Sequence, residues 1–187
     1  LLPSELARFD PDAIVLQRQI GDERLEAMRR MKAFSRAFKV YELDDYLPSL
    51  PARSAMRDGI PKDAVKQLRK GLSLVDRFVV STDALAEAFD GLHPDTRVVK
   101  NRLPAHWWAN LGQRRRDGRK PRVGWAGGSG HAGDLAILSD VVKALADEVE
   151  WVFFGMCPPG LLSLVSELHT GVAIEQYPAK LAGLDLD

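Results

Sequence analysis

The stretch that decides the fold is RVGWAGGSGHAGDLAILSDVVKALAD, residues 122–147. Its first five residues are apolar enough for a buried strand, and residues 132–147 carry helical spacing of apolar side chains. Between them Gly127, Gly128 and Gly130 surround Ser129. Without Cβ atoms this backbone can turn tightly and present several N–H groups to an anion, with the positive end of the following helix adding attraction. Ser129 and His131 can donate hydrogen bonds to the same phosphate. The spacing fits neither G-x-G-x-x-G nor the G-K-[ST] ending of a triphosphatase loop. Glycines that merely permit a close strand–helix turn are the plainer alternative.

Working outward, EWVFFG (150–155) reads as a strand, GLLSLVSEL (160–168) as a helix and GVAIEQY (171–177) as a third strand, with Pro178 opening a short helix. Upstream, AIVLQRQ (13–19), KVYELDD (39–45), RFVVST (77–82) and TRVVKNR (96–102) read as four strands. The first intervening helix carries Leu25, Met28, Met31, Phe34 and Phe38 on one stripe. The second, started by Pro61, carries Val65, Leu68, Leu72 and Val75 on one face. The third is capped by Thr82 or Asp83. The segment YLPSLPARSAMRDGI (46–60) is too rich in Pro and Ser for regular structure throughout.

Strand–helix alternation with strands apolar on both faces predicts an α/β fold with parallel sheets. The run LPAHWWANLGQRRRDGRKP (103–121) breaks the alternation and marks a boundary between two units. The basic residues in it, Arg114, Arg115, Arg116, Arg119 and Lys120, read as a solvated linker rather than a phosphate or membrane patch. Packing against a neighbouring domain is the expected use of Trp107 and Trp108, ahead of sugar stacking.

The 187 residues include 26 basic and 26 acidic ones, so no basic excess exists for gripping nucleic acid. The single Cys157 cannot form an intrachain disulfide and reads as a small, partly buried apolar residue. Apolar runs are too short to span a bilayer, and no charged-then-apolar leader opens the sequence. Beginning on Leu1 and ending on Leu186-Asp187, the chain reads as a piece of a longer protein.

In open parallel sheets ligands bind at the carboxyl ends of strands. Two further segments have that address. Glu42, Asp44 and Asp45 end the second strand, where acids can bind a metal, act as a base, orient a hydroxyl-rich substrate, or simply cap a turn. Asn101 follows the fourth strand, where it suits a turn and can also face a cleft. His93, His106 and His169 show no metal-ligand spacing, so no metal site is expected. Asp185-Leu186-Asp187 has the form of a metal-binding D-x-D but is discounted at the start of a strand.

The stretches VYELDDYL (40–47), LVDRFVVSTDALAEAF (74–89), TRVVKNRLP (96–104), PRVGWAGGSGHAGDL (121–135) and VEWVFFGMCP (149–158) together resemble bacterial GT-B glycosyltransferases related to family 4, of the O-antigen and surface-polysaccharide type. The resemblance implies two Rossmann-like parallel-sheet units, each incomplete: the end of an acceptor-side domain over 1–102, a linker over 103–121 and the start of a donor-side domain over 122–187. It implies sugar transfer from a nucleotide-diphosphate donor to a glycan or lipid-linked acceptor, with no metal and no cofactor. Gly127, Gly128, Ser129, Gly130 and His131 face the donor diphosphate in this reading. Asp45, as the catalytic candidate, and Asn101 lie near the cleft. The setting implied is cytoplasmic, with peripheral association at the inner face of the membrane. Two departures stand out: the acceptor-side domain is short and lacks the usual glycine-containing first strand–loop, and no later acidic element for the nucleotide is present. The alternative is a non-enzymatic α/β module that binds a nucleotide or a protein. A dehydrogenase or methyltransferase is disfavoured by the missing G-x-G-x-x-G.

Overall fold

A computed structural model describes residues 3–47, 60–112 and 120–187. The chain divides into two compact units, whose described parts meet in sequence between Asn101 and Arg102. The expected loop over 46–60 and the basic cluster Arg114–Arg116 with Arg119 fall largely or wholly outside the described residues.

The first unit comprises α1 (Pro3–Phe9), β1 (Ala13–Gln17), α2 (Asp22–Phe34), β2 (Phe38–Leu43), α3 (Ala64–Leu72), β3 (Arg77–Val80), α4 (Asp83–Ala88) and β4 (Thr96–Val98). Its four strands form one sheet in the order β1-β2-β3-β4, all parallel. Parallel neighbours taken in chain order, joined by crossovers of one hand, receive their helices on one face. The core shows this: Leu16, Tyr41, Leu43, Phe78 and Val80 from the strands pack with Leu25, Met28, Leu68, Leu72, Leu85 and Phe89 from the helices. The alternate strand residues point the other way, and Val15 is 65% and Phe38 42% exposed.

Two helical stripes differ from the sequence reading. Phe38 opens β2 instead of closing the helix, and Phe34 is exposed, so α2 is buried through Leu25 and Met28. On α3 the buried set is Ala64, Gln67, Leu68, Gly71 and Leu72, whereas Val65 is exposed. Gly71 explains the rotation. A Cβ there would touch Leu25 and Tyr41 at 3.4 Å, so α3 turns its smallest residue toward α2 and the sheet. Thr82 caps α4 as expected, its hydroxyl oxygen accepting from Leu85 N at 3.1 Å.

The second unit comprises α5 (Ala105–Trp108), β5 (Arg122–Gly127), a 3-10 turn (Ser129–His131), α6 (Ala132–Ala144), β6 (Glu150–Gly155), a 3-10 segment (Pro159–Leu164), β7 (Glu167–His169) and α7 (Tyr177–Ala182). Its sheet runs β5-β6-β7, again parallel. Alternate residues of β6 enter two cores. Trp151 and Phe153 pack with Leu135, Val142 and Leu161, while Val152 and Phe154 pack with Leu184 and the partly buried Tyr177 and Leu181.

The third strand sits earlier than the sequence reading placed it. Residues 160–168 form no α-helix: Pro158-Pro159 is followed by a short 3-10 segment, and Glu167–His169 pairs with Val152–Phe154. Residues 171–176 are irregular, and Ile174 is largely exposed. With only six residues between Pro159 and Ser166, an α-helix and its return loop do not fit before the chain rejoins the sheet at Ser166 N to Trp151 O, 2.8 Å. Trp108 finds its ring partner within its own unit: Tyr177 stacks on Phe154 at 5.1 Å and meets Trp108 at 6.2 Å.

Arg122 ties this unit together. It is 7% exposed, pairs with Glu150 of β6 at 3.0 Å and Glu167 of β7 at 2.9 Å, and donates from Nε and Nη2 to Leu184 O. Its backbone exchanges bonds with Asp187. No described helix is long and apolar enough to cross a membrane.

Candidate functional site

The sequence-predicted residues fall into two groups, one in each unit. The glycine loop belongs to the second. β5 continues through Gly127, which lies beside Gly155 of β6. Gly155 has φ of 103, and a Cβ on it would run into Gly127 O, the atom that accepts from Met156 N at 3.1 Å. A Cβ on Gly127 would meet the Trp125 ring at 2.9 Å. Packing alone therefore demands glycine at 127 and 155.

Gly128 and Gly130 differ. A Cβ at either position would meet nothing within 4 Å. No neighbour requires their lack of a side chain, and the space before the loop stays open to an incoming group. Ser129–His131 forms a 3-10 turn in which His131 N donates to Gly128 O at 3.1 Å, spending one of the amides that the sequence offered to an anion. α6 starts immediately afterwards, with His131 as an N-cap that makes no side-chain capping bond. His131 Nδ1 lies 3.0 Å from Asp134 Oδ2, both side chains exposed. That contact fixes the imidazole and leaves Nε2 without a partner among the described residues. The Asp134 carboxylate also stands in the first turn of α6, where it already answers the helix's positive end.

The second group lies at the carboxyl ends of the first unit's strands. Asp44 and Asp45 follow β2, and both are held by Arg18, the residue just past β1. Arg18 Nε and Nη2 bind the two oxygens of Asp44 at 2.7 and 2.8 Å, and Nη2 also reaches Asp45 Oδ2 at 2.7 Å. The guanidinium holds the Asp44 carboxyl below the usual carboxylate range, chiefly by these hydrogen bonds. Glu42 is pushed the other way, first by burial and then by the negative charge of Asp44. Arg18 thus clamps two of the three neighbouring acids, while burial and the charge of Asp44 raise the proton affinity of the third, Glu42.

Ser81 Oγ donates to Asp44 O at 3.2 Å and joins this cluster to the next strand end. There a hollow of about 480 Å³ is lined by Ser81, Thr82, Asp83, Ala84, Lys100 and Asn101, with Lys100 Nζ 3.3 Å from Asp83 Oδ2. Asp45 and Asn101 therefore share one end of one sheet, whereas Gly127–His131 belong to the other unit. Arg18 was missed by sequence reasoning, which spent it as a strand residue. The signal that could have found it is an arginine closing one strand ahead of paired acids closing the next. No group of three His, Cys, Asp or Glu capable of holding a metal exists among the described residues. The β1–α2 connection does hold a glycine, Gly21, with φ of 105.

No family matches the chain, and no curated protein matches it. Among solved structures, the crystal structure of TarM, a wall teichoic acid glycosyltransferase, matches with a TM-score of 0.60 over 94% of this chain. This chain shares with TarM an α/β fold of Rossmann-like parallel-sheet units. The identity is 12%, so the likeness is one of fold, and the chain spans 36% of TarM. The two Rossmann-like parallel sheets are what the two proteins have in common.

Proposed function

We propose that this chain is part of a GT-B glycosyltransferase that moves a sugar from a nucleotide-diphosphate donor to a glycan or lipid-linked acceptor. The observation that carries the reading is the pair of parallel-sheet units with TarM-like fold, the second opening on a glycine loop whose Gly128 and Gly130 are not explained by packing. In this reading residues 122–187 begin the donor-side domain and 1–102 end the acceptor-side one, joined by 103–121. Gly128, Ser129, Gly130 and the Nε2 of His131 approach the diphosphate. Fixed amides and the start of α6 stabilise the charge that grows on the departing nucleotide, so no metal or cofactor is called for. Asp45 and Asn101 serve the acceptor side. The motif resemblance supports a family 4-like, O-antigen or surface-polysaccharide role, cytoplasmic and peripheral at the inner face of the membrane.

One observation favours a second reading. The Asp134 carboxylate beside His131 repels an incoming diphosphate, which suits an α/β module that binds a protein or a nucleoside and catalyses nothing.

Titration calorimetry with UDP, GDP, ADP and dTDP tests the proposal. Gly128→Val puts a Cβ where nothing lies within 4 Å, so melting is expected to stay near the wild-type value while nucleotide affinity falls at least tenfold. His131→Ala gives a smaller loss. Absence of binding by all four nucleotides, or affinity indifferent to Gly128→Val, sinks the transferase reading. Binding without transfer or hydrolysis of any sugar nucleotide by the full-length protein favours the second.

A further inference from the structure

The outer face of α3 gathers positive charge that nothing around it answers. Residues 62–70 hold four cations, Lys62, Lys66, Arg69 and Lys70, against one acid, in a chain whose charges balance overall. All four are exposed, and none makes an ion pair with a described residue. Other cations of the first unit are engaged: Arg18, Arg77, Arg97 and Lys100 meet carboxylates, while Lys32 and Lys39 meet backbone carbonyls. The one acid of the stretch, Asp63, is taken as well, accepting from Gln67 Nε2 at 3.0 Å. Like charges three and four positions apart on a helix repel, so α3 gives up stability that an anionic partner restores.

Lys62, Lys66 and Arg69, at spacings of four and three, follow one line opposite the face that buries Gln67, Leu68 and Gly71. Val65 stands beside that line, 44% exposed, and the group borders a hollow of about 420 Å³ that Ala64 also lines. We infer that this face of α3 docks an acidic helix of a partner protein, its carboxylates set against Lys62, Lys66 and Arg69 and an apolar side chain seated in the hollow beside Val65. Paired helices use this pattern, apolar contact at the seam and opposite charges along its flanks. Charge complementarity also sets the register and speeds the encounter. A lipid surface fits less well. Interfacial helices insert several apolar side chains and anchor through Trp or Tyr, whereas Val65 is the one large apolar side chain exposed on α3, which has no aromatic residue. The donor loop belongs to the other unit, so this docking goes beyond the transferase reading and stands apart from it.

The test uses the 187-residue chain and a labelled helical peptide in which glutamates recur at alternating spacings of four and three beside a leucine stripe, read by fluorescence anisotropy. A scrambled peptide of the same composition, vesicles of phosphatidylcholine and phosphatidylglycerol in equal parts, and a short DNA duplex are the competing probes. The patterned peptide is expected to bind at least fivefold more tightly than the scrambled one, and more weakly as salt rises. Lys66→Gln with Arg69→Gln is expected to weaken it at least tenfold. Arg29→Gln with Arg30→Gln takes the same charge from the paired cations of α2 and changes it less than twofold. Lys66→Arg with Arg69→Lys keeps the charges and holds the affinity within twofold. Val65→Ser weakens the patterned peptide about threefold and leaves the scrambled one as it was. Equal affinity for the two peptides overturns the inference, as do equal losses in the α2 and α3 variants, tighter binding to vesicles or duplex, or no peptide binding at all. UDP affinity stays constant across these variants, so failure here and failure of the donor loop are distinguishable.

Discussion

Both units lay down parallel strands in chain order, but the first sheet is covered by helices on one face and the second on two. In the first unit every described helix is either a crossover or packed with the crossovers, so Tyr41 and Phe78 are buried while Val15 is exposed. In the second, α6 and the 3-10 segment take one face of β6, and α7, which follows the last strand, takes the other. Sequential strand order and one-handed crossovers can furnish only a single layer. A second layer needs an element outside the crossovers. Residues 177–187 supply it here, anchored by Leu184 O and Asp187 on Arg122.

That difference predicts where the molecule is most easily broken. Arg122 joins β5, β6, β7 and the segment that closes the second face, and its removal takes away the cation that Glu150 and Glu167 share. Arg122→Ala is expected to cost about 3 kcal/mol, the lower part of the range for breaking a buried pair, because both glutamates keep some solvent. Arg122→Met keeps the packed stem and costs less. All four tryptophans, at 107, 108, 125 and 151, lie in the second unit, so indole fluorescence follows its unfolding alone. Amide exchange in β1–β4 serves as the control and stays at the wild-type level. Equal loss of protection in β1–β4 breaks the comparison.

A smaller effect tests the glycine pair. Gly155 combines φ of 103 with the close approach of Gly127 O, so Gly155→Ala strains the backbone and prises β6 from β5 at the loop. A cost of about 2 kcal/mol is expected, seen as an earlier fluorescence transition. Gly128→Val, three residues from Trp125 but in open space, leaves that transition in place. Equal destabilisation by the two variants refutes the division between glycines that packing demands and glycines that it does not.

The parallel sheets were legible because strands and crossovers announce themselves by period: EWVFFG is β6 residue for residue, and the first unit's four strands lie where the apolar runs put them. β7 was not legible. Its three residues, Glu167–His169, carry no alternating pattern of their own and are strand only because Val152–Phe154 offers an edge. The apolar GVAIEQY had the better pattern and no partner. At the candidate site the segments were legible and the partnerships were not. Paired acids and clustered glycines show in one dimension, whereas the clamp of Arg18 on residues 26 and 27 positions away exists only after β1 and β2 pair. The same holds for Gly127 against Trp125, where a fixed side-chain direction turns a loop glycine into a packing glycine.

The smallest predicted effect lies in the first unit. Thr82 Oγ1 accepts from Leu85 N at the start of α4, and Leu85 and Phe89 belong to the single covered face. Thr82→Ala removes that bond and leaves a helix of six residues with an unanswered first-turn donor. The cost expected is about 1 kcal/mol, and Thr82→Ser recovers most of it because serine caps as well. Tryptophan fluorescence should not register the change; amide exchange of β3 and β4 should, since α4 bridges them. With a single helical layer among the described residues, no described helix on the far side of the sheet compensates for a loosened α4, so the lost protection reaches Phe78–Val80. Confinement of the loss to α4 would mean that the first sheet holds itself without its helical layer, and the contrast between the two units would then be one of coverage without consequence for stability.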